Sequence, residues 1–526
     1  MTRRNNRKPQ PQRGPKQAAT AAQTVANGAD DPAIVDGANG AATLASPVRA
    51  TAVAEPQLAP TVEAAQGAQS FVATRLGGRR LDLALALGFA AIALVLYFWR
   101  IEAPWNGNKA YIYDEVYHVY TAQQWVKGNT DPWLWTTRVP DEGFAYEWTH
   151  PPLGKEIIAV SILLFGDNTF GWRAASAVFG AIGIALIYWL GLVLTRRRVA
   201  ACLAAILTLA DGLYFVESRA GLLDIFGAIF MVGAFLAFYA YLKAPADKVR
   251  WPLLGLGLGL GLAIATKWNA GYAAAIIGVV VMVRTGYLLF KSFGGDEEGR
   301  AAYRAGFRQH LLWVPLFMAV LPAAIYMLTY GPFFGAGFSF QQFRDLQYQM
   351  YYYHSHLKDT HAYGSKWWQW PLTQRPVWYG VQYFSEGIVG YTYANGNPLL
   401  YWSFFAALPY ALVLWWQRER YKELLVLAIG FFGQWLPWAL VPRTAYVYHF
   451  LPAAIFGALA VAVTLNDLWE LGDRQITAQR PPLWRYLAIG YIVAIVAAFV
   501  FFYPIYTNWP LNKAEFDARI WISTWR

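Results

Sequence analysis

Asp114 and Glu115 form an acidic pair within the aromatic stretch "YIYDEVYHVY", about ten residues after an apolar run has ended. A carboxylate beside a reacting hydroxyl group can take its proton and act as a general base. Elsewhere, ionisable residues stand at the ends of apolar runs, where they are costly unless they face a cavity or one another. These residues are Asp211, Glu217, Arg219, Asp224, Lys267, Arg443 and His449. Carboxylates combined with cations predict a cleft that moves a proton and holds an anion.

The elements that must position these residues are apolar helices. The 526 residues are 57% hydrophobic and only 14% charged, and the mean hydropathy is +0.27, which is too apolar for a soluble domain of this length. About eleven runs are long enough to cross a bilayer, so the sequence predicts an all-α polytopic membrane protein. The runs begin near Leu81, Phe170, Val199, Leu222, Trp251, Gly271, Leu311, Pro398, Leu424, Ala445 and Tyr486.

The distribution of charge predicts the orientation of the helices. The formal net charge of +11 could suggest nucleic acid, but much of the Lys and Arg lies in the N-terminal tail and in short loops between apolar runs. From the composition we predict that the tail, residues 1–76, is a disordered cytoplasmic segment and that residues 77–526 form a membrane domain. With the tail inside, Lys and Arg concentrate in the inner loops, as the positive-inside rule requires. We therefore expect a plasma-membrane protein with the acidic pair outside and no nucleic-acid partner.

Two long segments between the helices, about 101–169 and 331–397, are predicted to lie outside. Both are dense in Trp, Tyr and His, and runs such as "WVKGNTDPWLW" and "SKWWQWPLTQRPVWYG" predict amphipathic segments at the membrane interface. The run "EIIAVSILLF", residues 156–165, is too short to span and predicts a helix on or dipping into the outer interface.

The expected cleft suits a lipid-phosphate substrate, whose tail lies in the bilayer while its phosphate sits at the interface against an arginine. We expect no cofactor and no tightly bound metal. The histidines of "HSHLKDTH" could suggest a metal site, but no clustered carboxylates accompany them. The single cysteine, Cys202, lies in an apolar run, so neither a disulfide framework nor a cysteine-ligated metal site is available.

Seven motifs follow one another in a recognisable order. They are "YDEV", "HPPLGK", "SRAGLLD", "ATKWNAGY", "HAYGSKWWQWPLTQRPVWY", "GNPLLYW" and "PW...PR...YHFLP". Together they resemble the protein O-mannosyltransferase family, the bacterial form in particular, over nearly everything after residue 80. The resemblance implies a GT-C glycosyltransferase fold and transfer of mannose, with inversion, from polyprenyl-phosphate mannose to Ser or Thr of exported proteins. The implied partners are this lipid donor, secreted or membrane protein acceptors, the bilayer and the secretion machinery.

The resemblance also implies roles for particular residues. Asp114 matches the family's catalytic base and Glu115 its partner, while Arg173, in "FGWRAAS", matches an arginine near the donor phosphate. The other substrate-binding candidates are His150, Lys155, Arg219, Asp224 and Arg443. Eukaryotic members carry a MIR domain in the second outer loop, which the roughly 65 residues available here cannot hold.

Two other functions remain open from the residues. A GT-C glycosyltransferase with a glycolipid or cell-wall acceptor would keep the same carboxylates and arginines. A transporter or flippase would use membrane carboxylates to relay protons, but the ionisable groups gather at one face instead of the midplane, and the chain has no repeated half.

Overall fold

The computed structural model describes residues 62–104, 110–139, 141–357 and 360–526, with side chains from residue 78 onward. The predicted disordered tail lies outside this part of the chain up to residue 61, and its remaining residues belong to the first helix. Residues Gln69–Arg526 form one compact unit.

Helices dominate this unit. In chain order the α-helices are α1 Val62–Phe98, α2 Glu115–Val126, α3 Leu153–Phe165, α4 Thr169–Thr195, α5 Arg198–Leu209, α6 Gly212–Glu217, α7 Asp224–Lys243, α8 Arg250–Thr266, α9 Ala270–Lys291, α10 Glu297–Pro315, α11 Leu321–Thr329, α12 Gly331–Gly335, α13 Phe340–His356, α14 Pro398–Gln417, α15 Tyr421–Trp435, α16 Leu451–Thr477, α17 Leu483–Tyr506 and α18 Lys513–Asp517. A π-helical turn, Leu316–Val320, joins α10 to α11.

Within the described residues, nine helical segments are long and apolar enough to cross a membrane. They are Gly78–Phe98, Thr169–Thr195, Asp224–Lys243, Ala270–Lys291, Glu297–Thr329, Pro398–Gln417, Tyr421–Leu440, Val447–Thr477 and Leu483–Tyr506. The spans predicted to begin near Val199 and Trp251 correspond to the shorter apolar helices α5 and α8. The polytopic character is therefore confirmed, while the number of spans stays a prediction.

The centre of the bundle is α16, which packs against α5, α14, α15 and α17. The glycine run at 255–263 lies on α8, where helices approach closely. A Cβ atom on Gly257 would lie 1.9 Å from the carbonyl oxygen of Phe317, and one on Gly259 would lie 2.8 Å from Ala234. The small residues of this run therefore allow α8 to pack closely against its neighbours.

The two segments predicted to lie outside contain more than helices. The predicted helix at 156–165 is present in α3, although its depth relative to a membrane stays a prediction. The aromatic run "SKWWQWPLTQRPVWYG", predicted to be an amphipathic segment, leads into an antiparallel hairpin of β1 Val377–Ser385 and β2 Ile388–Ala394, extended by β3 Leu511–Asn512. Aromatic and β-branched residues favour strands, and Gly387, with φ of +71°, closes the turn. The all-α prediction therefore needs this small sheet added.

Candidate active site

A cavity of about 270 Å³ gathers residues from the beginnings of α2, α3 and α16 and the ends of α8 and α13. Its ionisable lining side chains include Asp114, His118, Glu147, His150, Lys267, His354, His361 and Arg443. Aromatic rings of Tyr113, Tyr446 and Tyr448 form part of the wall. Four of the ionisable groups predicted to cluster, Asp114, Lys267, Arg443 and His449, therefore line one cavity, although the chain separates them by up to several hundred residues.

Asp114 stands directly before α2 and points its carboxylate into this cavity. Its main-chain carbonyl accepts hydrogen bonds from the N–H groups of Tyr117 at 3.0 Å and His118 at 2.9 Å, which starts the helix. The half-buried side chain makes no hydrogen bond to any described residue. Burial, and next the nearby carboxylate of Glu147, raise the pKa of Asp114 to about 7, while the ammonium of Lys267 acts in the opposite direction. A carboxylate with this pKa is suited to accept a proton near neutral pH.

Glu115 points the other way, into the protein. Its carboxylate forms a two-bond ion pair with Arg173, with both N–O distances 2.7 Å and both side chains fully buried. The same two oxygens accept the N–H groups of Ile112 at 2.9 Å and Gly221 at 2.8 Å. Because Glu115 is fully occupied and does not line the cavity, it fixes the start of α2 and is not placed to touch a substrate.

Arg173 likewise has no free donor. Beyond Glu115, its guanidinium donates to the carbonyls of Ile101 at 2.8 Å, Ala103 at 2.9 Å and Ala110 at 2.9 Å. These bonds use all five of its N–H groups. The expected contact between Arg173 and a donor phosphate therefore does not agree with the structure, which gives this residue the role of tying the segment before α2 to α4.

Two other cations do reach the cavity. Arg443 is half-buried on its wall and forms neither a hydrogen bond nor an ion pair with the described residues. The Nζ atom of Lys267 lies 2.8 Å from each carboxylate oxygen of Asp224 and 5.1 Å from the centre of the Tyr448 ring. Arg443 therefore supplies an unpaired positive charge to an anionic ligand, and Lys267 a paired one.

A second cavity, of about 320 Å³, adjoins the first and shares His150, Lys267, His354 and Arg443 with it. Its remaining lining is largely apolar, with Trp268, Tyr272, Trp438, Leu440, Val441 and Pro442 among the contributors. The polar residues thus stand at the junction of a polar and an apolar cavity, which suits an amphiphilic ligand.

Three imidazole rings line the polar cavity side by side. The ring centres of His118 and His150 are 6.2 Å apart, and those of His150 and His354 are 4.9 Å apart. Burial lowers the pKa of His118 and His150 well below the ordinary value and that of His354 to about 4. His354 donates its Nε2 hydrogen to the carbonyl of Thr149 at 2.7 Å. The three rings are therefore neutral at physiological pH.

Two family models match the chain. One, described as "Dolichyl-phosphate-mannose-protein mannosyltransferase", matches residues 89–335, and the other, "C-terminal four TMM region of protein-O-mannosyltransferase", matches residues 339–525. The chain belongs to the protein O-mannosyltransferase family. It is therefore a membrane glycosyltransferase, and the predicted family and enzyme class are confirmed.

Similar proteins extend over most of this mannosyltransferase. A polyprenol-phosphate-mannose–protein mannosyltransferase of Mycolicibacterium smegmatis is 27% identical over 494 residues, 83% of this chain and 91% of the relative. That of Corynebacterium glutamicum is 24% identical over 497 residues, 85% of this chain and 94% of the relative. Among solved structures, the Saccharomyces cerevisiae Pmt1–Pmt2 protein O-mannosyltransferase complex bound to the sugar donor matches with a TM-score of 0.66 and 15% identity, covering 85% of this chain and 92% of that chain. The shared fold confirms the predicted GT-C class.

Some of the predicted site residues of this mannosyltransferase line the cavity, and the others are supports, meaning residues that hold the surrounding chain in place. Asp114, His150 and Arg443 line the cavity. The remaining candidates do not line it, and they are Glu115, Arg173, Lys155, Arg219 and Asp224.

Lys155 and Arg219 are two of these supports. Lys155 is 1% exposed, and its ammonium donates to the carbonyls of Glu147 and, at 2.8 Å, His150. Arg219 donates to the carbonyl of Arg100 at 2.7 Å. Both cations therefore hold main-chain segments and are turned away from the ligand space.

Four ionisable residues of the cavity were not predicted to line it: His118, Glu147, His354 and His361. Glu147 stands three residues before the "HPPLGK" motif and caps that turn, accepting the N–H groups of Thr149 at 2.7 Å and His150 at 3.0 Å. Lys267, one of the ionisable residues expected at the cleft, also belongs to the cavity wall. Its position in "ATKWNAGY" was the available signal.

Proposed function

We propose that this protein transfers mannose from polyprenyl-phosphate mannose to Ser or Thr hydroxyl groups of exported proteins, at the outer face of the plasma membrane. The named activity of the mycobacterial and corynebacterial relatives supports the donor and the acceptor class. The observation that carries the proposal is the arrangement of Asp114 and Arg443. Within the described residues, this carboxylate has no hydrogen bond and this guanidinium no partner, both face the same cavity, and that cavity adjoins an apolar one.

The apolar cavity supports a position for the lipid part of the donor. Its aromatic and aliphatic lining suits the first isoprene units of a polyprenyl chain, and the phosphate then lies at the junction, against Arg443 and Lys267. A phosphodiester carries one negative charge, which Arg443 can meet without first breaking an ion pair. The mannose then extends into the polar cavity, beside Asp114 and the neutral histidines.

The reaction is a direct displacement with inversion. The acceptor hydroxyl oxygen attacks C1 of mannose from the side opposite the phosphate, while Asp114 takes the hydroxyl proton. The bond between C1 and the phosphate oxygen breaks, and polyprenyl phosphate leaves with the electron pair. Arg443 and Lys267 stabilise the negative charge that grows on this phosphate as it leaves.

The distribution of Lys and Arg between the loops supports the outer location of the site, with the N terminus in the cytoplasm. Acceptors then meet the enzyme as extended or partly folded chains after crossing the membrane. Delivery by the secretion machinery is part of the proposal.

Transfer of radiolabelled mannose from polyprenyl-phosphate mannose to a Ser/Thr-rich peptide, in membranes containing the full chain, tests this function. We expect label on the peptide with wild type and none with Asp114→Asn at equal protein level. Glu142→Gln is the matched control, because Glu142 is an exposed acid in the same outer segment. It should keep wild-type transfer.

The other outcomes separate the parts of the proposal. Full activity in Asp114→Asn would remove Asp114 as the base. If label reaches only a lipid fraction, the proposed transfer chemistry would stand, but the acceptor would be a glycolipid and not a protein. Label nowhere would refute mannose as the donor sugar.

A further inference from the structure

Tyr113, the residue before Asp114, has an unusual backbone conformation. Its φ is 45°, in the left-handed region that residues with a side chain rarely adopt. Such a conformation persists only when neighbouring contacts hold it. Because Asp114 follows directly, the contacts that hold Tyr113 also decide where the Asp114 carboxylate points.

Tyr379, on β1, makes these contacts. The N–H of Tyr113 donates to the carbonyl of Tyr379 at 2.8 Å, and the two rings stack with centres 4.6 Å apart and planes 6° apart. The carbonyl of Tyr379 is available because the strand has a bulge there. Trp378 and Gly380 pair with the adjacent residues Tyr393 and Thr392 of β2, which leaves Tyr379 without a partner across the ladder.

Glu217 in turn holds Tyr379. The Tyr379 hydroxyl donates to Oε1 of Glu217, the last residue of α6, whose side chain is completely buried. The second carboxyl oxygen has no hydrogen bond among the described residues. Burial, and next the carboxylate of Asp224, raise the pKa of Glu217 well above its ordinary value, against the opposing effects of the Tyr379 hydrogen bond and of Lys267. These surroundings favour the uncharged form of Glu217.

These contacts form a chain from a buried acid to the cavity. Glu217 itself does not line the cavity, so it cannot touch the donor or the acceptor. We infer that Glu217 is a positioning residue, which acts through Tyr379 and Tyr113 to orient the Asp114 carboxylate, and that position 217 needs a hydrogen-bond acceptor and not a negative charge. The catalytic consequence rests on the proposed function, in which Asp114 is the base.

Kinetics of mannose transfer by the full chain test this inference. Tyr379→Phe removes only the hydroxyl and Glu217→Leu only the acceptor, and each should lower kcat about tenfold without changing KM for the donor, since a misplaced base slows the chemical step. Glu217→Gln retains an acceptor of the same shape and should keep kcat and its pH profile. Tyr383→Phe removes a hydroxyl that is on the same strand and 81% exposed, and it serves as the control.

A double variant tests whether Glu217 acts through Tyr379 or whether the two residues act independently. If Glu217 acts only through Tyr379, Tyr379→Phe combined with Glu217→Leu should lose about tenfold in kcat, as each single variant does. A loss of about a hundredfold in the double variant would contradict the linked arrangement. Equal losses in Glu217→Gln and Glu217→Leu would show that charge matters, and a raised donor KM would show contact with the ligand. Either result would overturn the inference.

Hydrogen exchange gives a readout that does not depend on the reaction. In lipid nanodiscs, the amides of residues 112–118 should exchange faster in Tyr379→Phe and Glu217→Leu than in wild type, and at the wild-type rate in Glu217→Gln. Unchanged exchange in all variants would refute the positioning role even if mannose transfer is confirmed. Faster exchange in an enzyme that does not transfer mannose would refute the proposed function alone.

Discussion

Arg173 and Arg443 were both expected near the donor phosphate, but replacing each by Met should have different effects. Loss of Arg173 should lower stability, and loss of Arg443 should weaken donor binding. Arg173 is fully buried, pairs with Glu115 through two 2.7 Å contacts and donates to three main-chain carbonyls. Removing one member of a buried ion pair costs about 3–5 kcal/mol, because it leaves an uncompensated charge. Since a whole domain is stable by only about 5–15 kcal/mol, Arg173→Met should shift the folding equilibrium on the order of a hundredfold to several thousandfold.

Arg443 has no hydrogen-bond or ion-pair partner among the described residues, so its removal leaves none of their charges alone. Arg443→Met should therefore keep wild-type stability, and it should raise KM for polyprenyl-phosphate mannose about tenfold to a hundredfold, the value of one charge-assisted hydrogen bond of about 1.5–3 kcal/mol. Thermal denaturation in detergent and donor titrations of transfer rate distinguish the two variants. Arg173→Met should denature at a lower temperature, while its remaining folded fraction keeps the wild-type donor KM.

A further variant checks the cause of the instability. In Arg173→Met combined with Glu115→Leu, no buried charge is left alone, so part of the stability lost in Arg173→Met should return. If Arg173→Met instead keeps its denaturation temperature and raises donor KM, then Arg173 contacts the phosphate and the assignment of the two arginines is reversed.

Further predictions concern the base and its surroundings. Asp114 must be ionised to accept a proton, so transfer should fall as the pH drops through about 7, which a pH–rate profile measures. Glu147→Gln removes a carboxylate that raises the pKa of Asp114, so the acid limb should move to lower pH; an upward shift would contradict this. Lys155→Met should lower the denaturation temperature, because the carbonyls of Glu147 and His150 lose their buried donor; a change confined to donor KM would instead indicate a ligand contact.

Three of the motifs meet at one cavity, to which "YDEV", "HPPLGK" and the segment around Arg443 all contribute. The roles of their residues stay predictions. The helical membrane architecture was predictable because long apolar runs leave few alternatives to a helix. The hairpin Val377–Ala394 was harder to predict from the sequence. Aromatic residues suit both an interfacial segment and a strand, and only pairing with a partner strand decides between them.

Sequence by itself determined the fold class and the family, because hydrophobic length and motif order can be read directly along the chain. It named Asp114 as the base only through the family resemblance, since the residues alone give no physical reason to choose between two adjacent acids. Asp114 and Glu115 are neighbours, and adjacent positions at a helix start point in directions about 100° apart. Only the tertiary structure turns Glu115 toward Arg173 and leaves Asp114 in the cavity, because residues 58 positions apart must first meet before one carboxylate is neutralised and the other is left to react.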